Sequence, residues 1–212
     1  MADILQKIAS NLYEGENKEV AALVQQALDQ GLTPGEILEG GLIAGMDQVG
    51  KDFKAGELFV PEVLIAARAM HAGMDLLRPL LAEGEAISAG KYVIGTVKGD
   101  LHDIGKNLVK MMLEGAGFEM IDLGTDVEPT SFVAAVREHQ PQLMGMSALL
   151  TTTMVQMKAT VEALEEAGLR DSVKIMVGGA PVTAAFADEI GADAYAPDAA
   201  TAVDVARSLT GV

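Results

Sequence analysis

The sequence predicts an α/β protein in two parts, an N-terminal four-helix bundle and a five-stranded doubly wound parallel sheet. Three observations predict it. Residues 1–82 carry only helical periodicity, residues 91–212 alternate short apolar strands with amphipathic helices five times, and residues 83–90 between them carry no sustained periodicity and read as a linker.

In the first part, Leu5, Ile8 and Leu12 share one helix face, and Val20, Leu23, Val24, Ala27 and Leu28 form the stripe of a second helix. Thr33-Pro34-Gly35-Glu36 is a helix start, because Thr33 can cap free amides, Pro34 suits the first turn and Glu36 can complete a capping box. The third helix then presents Leu38, Leu42, Met46, Val49 and Phe53 on one side. After a break at Lys54-Ala55-Gly56, a fourth helix starts near Pro61 and turns Val63, Ala67, Met70, Met74 and Leu77 inward. Short loops between four such helices imply a bundle.

In the second part, strands are expected at Lys91–Val97, Phe118–Leu123, Leu143–Ser147, Val173–Val177 and Ala192–Ala196. The helices between them carry Ile104, Leu108, Met111 and Met112, then Phe132, Val133 and Val136, then Met154, Met157, Val161 and Leu164. A short helix over Ala184–Ile190 and a last one from about Ala199 complete the series. Regular alternation of this kind builds a parallel sheet covered on both faces.

Composition excludes several functions. Among 212 residues there is no cysteine, so disulfides, thiolate metal sites and cysteine nucleophiles are absent, and a metal has only His, Asp or Glu to bind it. A net charge of -16 and a pI near 4.4 argue against a nucleic-acid partner. The acidity serves solubility, with docking onto a basic partner as a second reading. No apolar run approaches a membrane span and the start lacks the pattern of a signal peptide, so a cytoplasmic location and no membrane partner are expected.

Ligands of an open parallel sheet bind at the carboxyl ends of the strands, so the loops leaving the strands hold the candidates. Three stand out: Lys98 to Gly105, Ser147 to Thr153, and Gly178-Gly179-Ala180-Pro181. In the first, Asp100 can orient the imidazole of His102 and fix which nitrogen stays free for a proton or a metal; a loop histidine is also often just solvated. Neither His71 nor His139 falls on such a loop, which disfavours a multi-ligand zinc site. The diglycine is either an ordinary tight turn or a close approach of backbone to ligand. Ser147, Thr151, Thr152 and Thr153 include residues suited to cap the helix that follows them.

Together the three loops resemble the signature of cobalamin-binding domains, Asp-x-His-x-x-Gly, Ser-x-Leu and Gly-Gly. Here it reads Asp100-Leu101-His102-Asp103-Ile104-Gly105, Ser147-Ala148-Leu149 and Gly178-Gly179. The stretches Gly45 to Phe53 and Gly56 to Glu62 are similar to the helical cap of methionine synthase and of corrinoid proteins in anaerobic methyltransferase systems.

The resemblance implies a flavodoxin-like cobalamin-binding domain and a cobalamin or related corrinoid, base-off, with His102 as lower axial ligand to cobalt. Asp100 would accept the other imidazole N–H, and Thr153 stands where methionine synthase continues the relay with serine. Asp103, Ile104 and Gly105 belong to the same loop. The nucleotide tail would pass Ser147, Leu149, Thr151 and the Gly178-Gly179 turn, while Phe53 and Val60 would shield the upper face of cobalt. Phe53 is also readable as ordinary bundle core.

The implied role is that of a methyl carrier in one-carbon metabolism. A substrate-specific methyltransferase would load the cobalt, a second methyltransferase would pass the methyl group to a tetrahydropterin or thiol, and a reductive activator would restore the metal. Methylamines, methanol, methoxylated aromatics and betaines all serve as donors in this family. A cobalamin-binding mutase subunit and a non-enzymatic cobalamin sensor share the motifs, but the helical cap favours methyl transfer. A receiver domain would need paired acidic residues at the first strand end and a lysine at the fifth, which this chain lacks.

Overall fold

The computed structural model describes residues 2–81 and 89–211, so most of the expected linker, 83–88, lies outside the described residues. The chain divides into two compact units, Met1–Ser88 with Gly115–Gly117, and Ala89–Glu114 with Phe118–Val212.

The first unit is helical. Helix α1 (Ala2–Tyr13) buries Ile4, Ile8 and Leu12, and α2 (Asn17–Asp29) buries Val20, Leu23, Val24 and Ala27. Leu5 was expected to lead the α1 stripe and is only half-buried, as is Leu28 in α2. Two neighbouring apolar positions satisfy the same periodicity, and the opposing surface decides between them: Leu5 meets the bare backbone of Gly40.

The expected third helix begins as predicted. Thr33 Oγ1 accepts the Glu36 N–H at 3.2 Å and Glu36 Oε2 accepts the Thr33 N–H at 2.8 Å. It does not continue as a single α-helix. Helix α3 (Pro34–Ile37) widens into a π segment over Leu38–Ile43 and returns as α4 (Ala44–Ala55). The widening falls on a run of glycines under α1. A Cβ on Gly41 would stand 3.0 Å from Ile8 Cγ2, and one on Gly45 would stand 3.0 Å from the Ala9 carbonyl oxygen.

Leu38, Leu42, Met46 and Val49 are buried as expected, whereas Phe53 is half-buried. Gly56 ends α4 in the left-handed region at φ 76°. Helix α5 (Val60–Leu77) starts with Pro61 in its first turn and with Glu62 Oε2 accepting the Phe59 N–H at 3.0 Å. Val63, Ala67, Met70 and Leu77 face inward; Met74 is half-buried.

The second unit is an all-parallel sheet of β1 (Lys91–Thr96), β2 (Glu119–Asp122), β3 (Leu143–Ser147), β4 (Lys174–Gly178) and β5 (Ala194–Tyr195), in the order β2-β1-β3-β4-β5. Helices α6 (Ile104–Gly115), α7 (Pro129–His139), α8 (Val155–Glu166), α9 (Ala184–Glu189) and α10 (Ala199–Thr210) connect and complete it. Alternate strand residues Val93, Met144, Met146, Ile175 and Val177 join Phe132, Val136, Met157, Val161 and Leu164 in one core. On the intervening positions Tyr92, Ile94, Leu143 and Met176 are also buried.

Strand order reverses between β1 and β3, and the register brings Thr96, Ser147 and Gly178 side by side at the strand ends. The loops that leave the sheet there are the three that the sequence singled out.

Helix α6 differs from expectation. Met112 and Leu113 form its buried side, Leu108 and Met111 are half-buried, and Ile104 is 80% exposed. No side chain caps α8 either, so the expected capping role of Ser147 or the threonines is not found.

Candidate functional site

The site is built on the loop between β1 and α6. Asp100 is fully buried, and donors surround its carboxylate. Oδ1 accepts the His102 backbone N–H at 3.1 Å and lies 2.7 Å from His102 Nδ1. Oδ2 accepts the backbone N–H groups of Leu149 at 2.7 Å and Leu150 at 3.2 Å, and the Thr153 hydroxyl at 2.8 Å. One carboxylate thus joins the loops after β1 and β3 across the point where strand order reverses.

Burial by itself pushes the Asp100 carboxyl up, but the bonds from His102, Leu149 and Thr153 outweigh it and hold the group well below the usual carboxylate range. An ionised carboxylate only accepts, so His102 Nδ1 carries the proton and the lone pair of Nε2 is free. The imidazole is 52% exposed.

The rest of the motif follows into α6. Asp103 is exposed; its carbonyl accepts the Asn107 N–H at 2.8 Å and its carboxylate the Asn107 side chain at 3.0 Å, fixing the first turn. Gly105 has open space where a Cβ would stand. Ser147 ends β3 half-buried, and Leu149 and Thr151 are exposed on the loop beyond it. Gly179 adopts φ +127°, and a Cβ there would collide with the Ala148 carbonyl oxygen, while one on Gly178 would come 2.9 Å from the Ala196 oxygen. The diglycine is therefore required by the protein's own backbone. Phe53 in α4 and Val60, exposed at the start of α5, belong to the helical unit.

Other contacts were not read from the sequence. Thr96, fully buried at the end of β1, donates its hydroxyl to the His102 carbonyl at 2.9 Å. Asp126, at φ 55°, accepts the Gly99 N–H at 2.6 Å and donates its own N–H to the Asp100 carbonyl at 3.0 Å. Lys106 is buried in α6 and places its ammonium 2.7 and 2.8 Å from the two carboxylate oxygens of Asp122 at the end of β2. A threonine closing an apolar strand, and a Gly-x-Asp turn after β2, are the only traces these residues leave in the sequence.

These residues suit a corrinoid. His102 stands between Leu101 and Ile104, exposed by 73% and 80%, with Leu149 and Leu150 also exposed on the adjoining loop. A nitrogen donor set among apolar side chains fits a flat, largely apolar macrocycle whose metal accepts one axial ligand. Among the described residues no three His, Asp or Glu side chains gather to hold a bare ion. A metal at this place would need most of its ligands from a cofactor.

Comparison with known proteins gives the same answer. A family profile described as "B12 binding domain" matches residues 90–204, and a second of the same description matches residues 4–78. The dimethylamine corrinoid protein of Methanosarcina barkeri is 48% identical over 98% of this chain and 97% of its own length. Among solved structures, a methanol:cobalamin methyltransferase complex from Methanosarcina barkeri superposes with a TM-score of 0.90 at 30% identity, covering 99% of this chain and 80% of that one. A cobalamin-binding protein from Desulfitobacterium hafniense gives 0.79 at 34% identity, covering 97% and 98%. From its helical unit to its last strand, the chain belongs to the B12-binding corrinoid proteins.

Proposed function

We propose that this protein binds a corrinoid through His102 and carries a methyl group between two methyltransferases. The observation that carries the reading is the pairing of a half-exposed imidazole with a buried carboxylate, which commits Nδ1 and leaves Nε2 to ligate cobalt.

When bound, the corrinoid supplies a cobalt centre able to accept a methyl group and release it again. The chain's residues do the rest. Asp100 fixes the tautomer and direction of His102, and Thr153 with the Leu149 and Leu150 amides holds Asp100 in place. The contact with Asp100 keeps Nδ1 engaged, so Nε2 would be the nitrogen presented to the metal. Leu101, Ile104 and Leu149, exposed around His102, would pack against the corrinoid and exclude water there. Ser147, Thr151 and the Gly178-Gly179 turn would receive the nucleotide tail, and Phe53 and Val60 would shield the cofactor, as the family resemblance implies.

A methylamine is the donor class that the 48% identical relative supports best. A substrate-specific methyltransferase loads the carrier, a second one delivers the methyl group to a tetrahydropterin or thiol, and a reductive activator rescues oxidised cobalt. Nucleic acid is disfavoured as a partner by the net charge of -16. No helix among the described residues is long and apolar enough to cross a membrane.

The test is reconstitution with hydroxocobalamin followed by reduction. Electron paramagnetic resonance of the cobalt(II) form should show coupling to one protein nitrogen that disappears in His102→Ala; coupling that survives the substitution overturns the ligation. Screening mono-, di- and trimethylamine with candidate methyltransferases, read by the cobalt spectrum, tests the donor.

A further inference from the structure

The buried polar residues are unevenly distributed. Among those described, Thr96, Asp100, Lys106 and Thr153 gather around the loop that carries His102, and only Thr160 in α8 lies elsewhere. Asp100 and Thr153 have a part in the proposed ligation, and Lys106 ties α6 to β2. Thr96 has no part in it so far.

Thr96 ends a strand whose preceding residues, Tyr92, Val93 and Ile94, are buried and largely apolar. Valine has the same shape and a similar strand preference, so packing gives no reason for a hydroxyl at a fully buried site. Burying one without a partner is destabilising, because the hydrogen bond it made to water is lost. The hydroxyl is instead bonded, to the carbonyl oxygen of His102 at 2.9 Å.

That bond acts where packing cannot. Leu101, His102, Asp103 and Ile104 are all exposed, and residues 101–103 belong to neither helix nor strand. The peptide before His102 is held by its N–H on Asp100 Oδ1, and the peptide after it by its carbonyl on Thr96 Oγ1. Thr96 is itself fixed on both sides: its N–H donates to the Gly124 carbonyl at 2.9 Å, and its carbonyl accepts the Val127 N–H at 3.0 Å. The imidazole thus hangs from a backbone clamped at both ends, one clamp being anchored in the sheet.

We propose that Thr96 is a positioning residue for the axial ligand, fixing the His102 backbone so that Nε2 meets cobalt without reorganisation. The inference rests on the reading of His102 as the ligand. Losing the clamp leaves ligation possible but weaker, by roughly three- to tenfold if one hydrogen bond of ordinary net strength is lost.

Isotope labelling makes this measurable. In 15N-labelled protein loaded with unlabelled cobalamin and reduced to cobalt(II), ligation by His102 gives a nitrogen doublet, whereas added imidazole or the cofactor's own base gives a triplet. The imidazole concentration that converts half of the doublet should fall by roughly three- to tenfold in Thr96→Val and return to the parent value in Thr96→Ser. Thr96→Ala against Thr96→Ser supplies the same comparison if valine disturbs the strand, and melting curves establish that each variant is folded. A parent protein with no doublet overturns the ligation itself. A parent doublet with equal midpoints in the hydroxyl-free variants leaves the ligation standing and overturns the role of Thr96.

Discussion

At the scale of single residues, the fold keeps several buried or partly buried carboxylates ionised. Asp100, Asp122 and Asp193 all titrate below their ordinary value because hydrogen bonds and cations outweigh burial: His102, Leu149 and Thr153 for the first, Lys106 and Gly124 for the second, Ile175, Lys174 and Arg170 for the third. A carboxyl lowered in the folded state binds protons more readily once unfolded. Its stabilisation is therefore complete above the unfolded value and is lost as pH falls through the folded one. The melting temperature should hold steady near neutrality and drop once the pH passes below about 4, which a pH series of thermal melts will show. Glycines give a sharper contrast. Gly105→Ala meets open space and adds helix propensity, so it should leave the melting temperature unchanged or raised while weakening cobalamin binding by roughly tenfold. Gly179→Ala drives a Cβ onto the Ala148 oxygen at a positive φ, and should lower the melting temperature of the cofactor-free protein as well. Titration with hydroxocobalamin and a melt of the cofactor-free form separate the two.

At the scale of elements, periodicity located the long helices and the five strands among the described residues, and it failed where a neighbour or an edge decides. Leu5 and Ile4 were equivalent until Gly40 faced one of them. Ile104 fits the α6 stripe but stands exposed in the first turn of that helix. Lys106 reads as a solvated lysine, because its partner Asp122 belongs to the following strand and nothing local announces the pair. Asp100, His102 and the diglycine were legible since their chemistry lies in short motifs, whereas Thr96 and Asp126 act through backbone atoms and leave almost no mark on residue type. The π segment was invisible for a related reason: its glycines matter only because α1 passes over them. Gly45→Ala, in α4 just beyond the segment and under the same helix, tests the close approach of α1. Helix propensity alone would stabilise by about 1 kcal/mol. The 3.0 Å approach to the Ala9 oxygen should reverse the sign and destabilise by about 1–2 kcal/mol, measured by urea unfolding.

At the scale of the whole molecule, the sheet separates stability from function by its two edges. Opposite the site, Arg170 lies 2.7 Å and Lys174 2.9 Å from Asp193, which also accepts the Ile175 N–H at 2.8 Å, tying β5 to the start of β4. Asp193→Asn should lower stability by about 1–3 kcal/mol while leaving the spectrum of bound cobalamin unchanged; a changed spectrum would show that the two edges are coupled. The apolar rim of Leu101, Ile104 and Leu149 has a consequence of a different kind. Surface that waits for a ligand is exposed to self-association until the ligand arrives, so the cofactor also protects the chain as a colloid. Each tenfold excess of free cofactor over its dissociation constant adds about 1.4 kcal/mol to the folded state by mass action. Supply of corrinoid during synthesis should therefore set how much of this protein accumulates, as well as how much of it is charged.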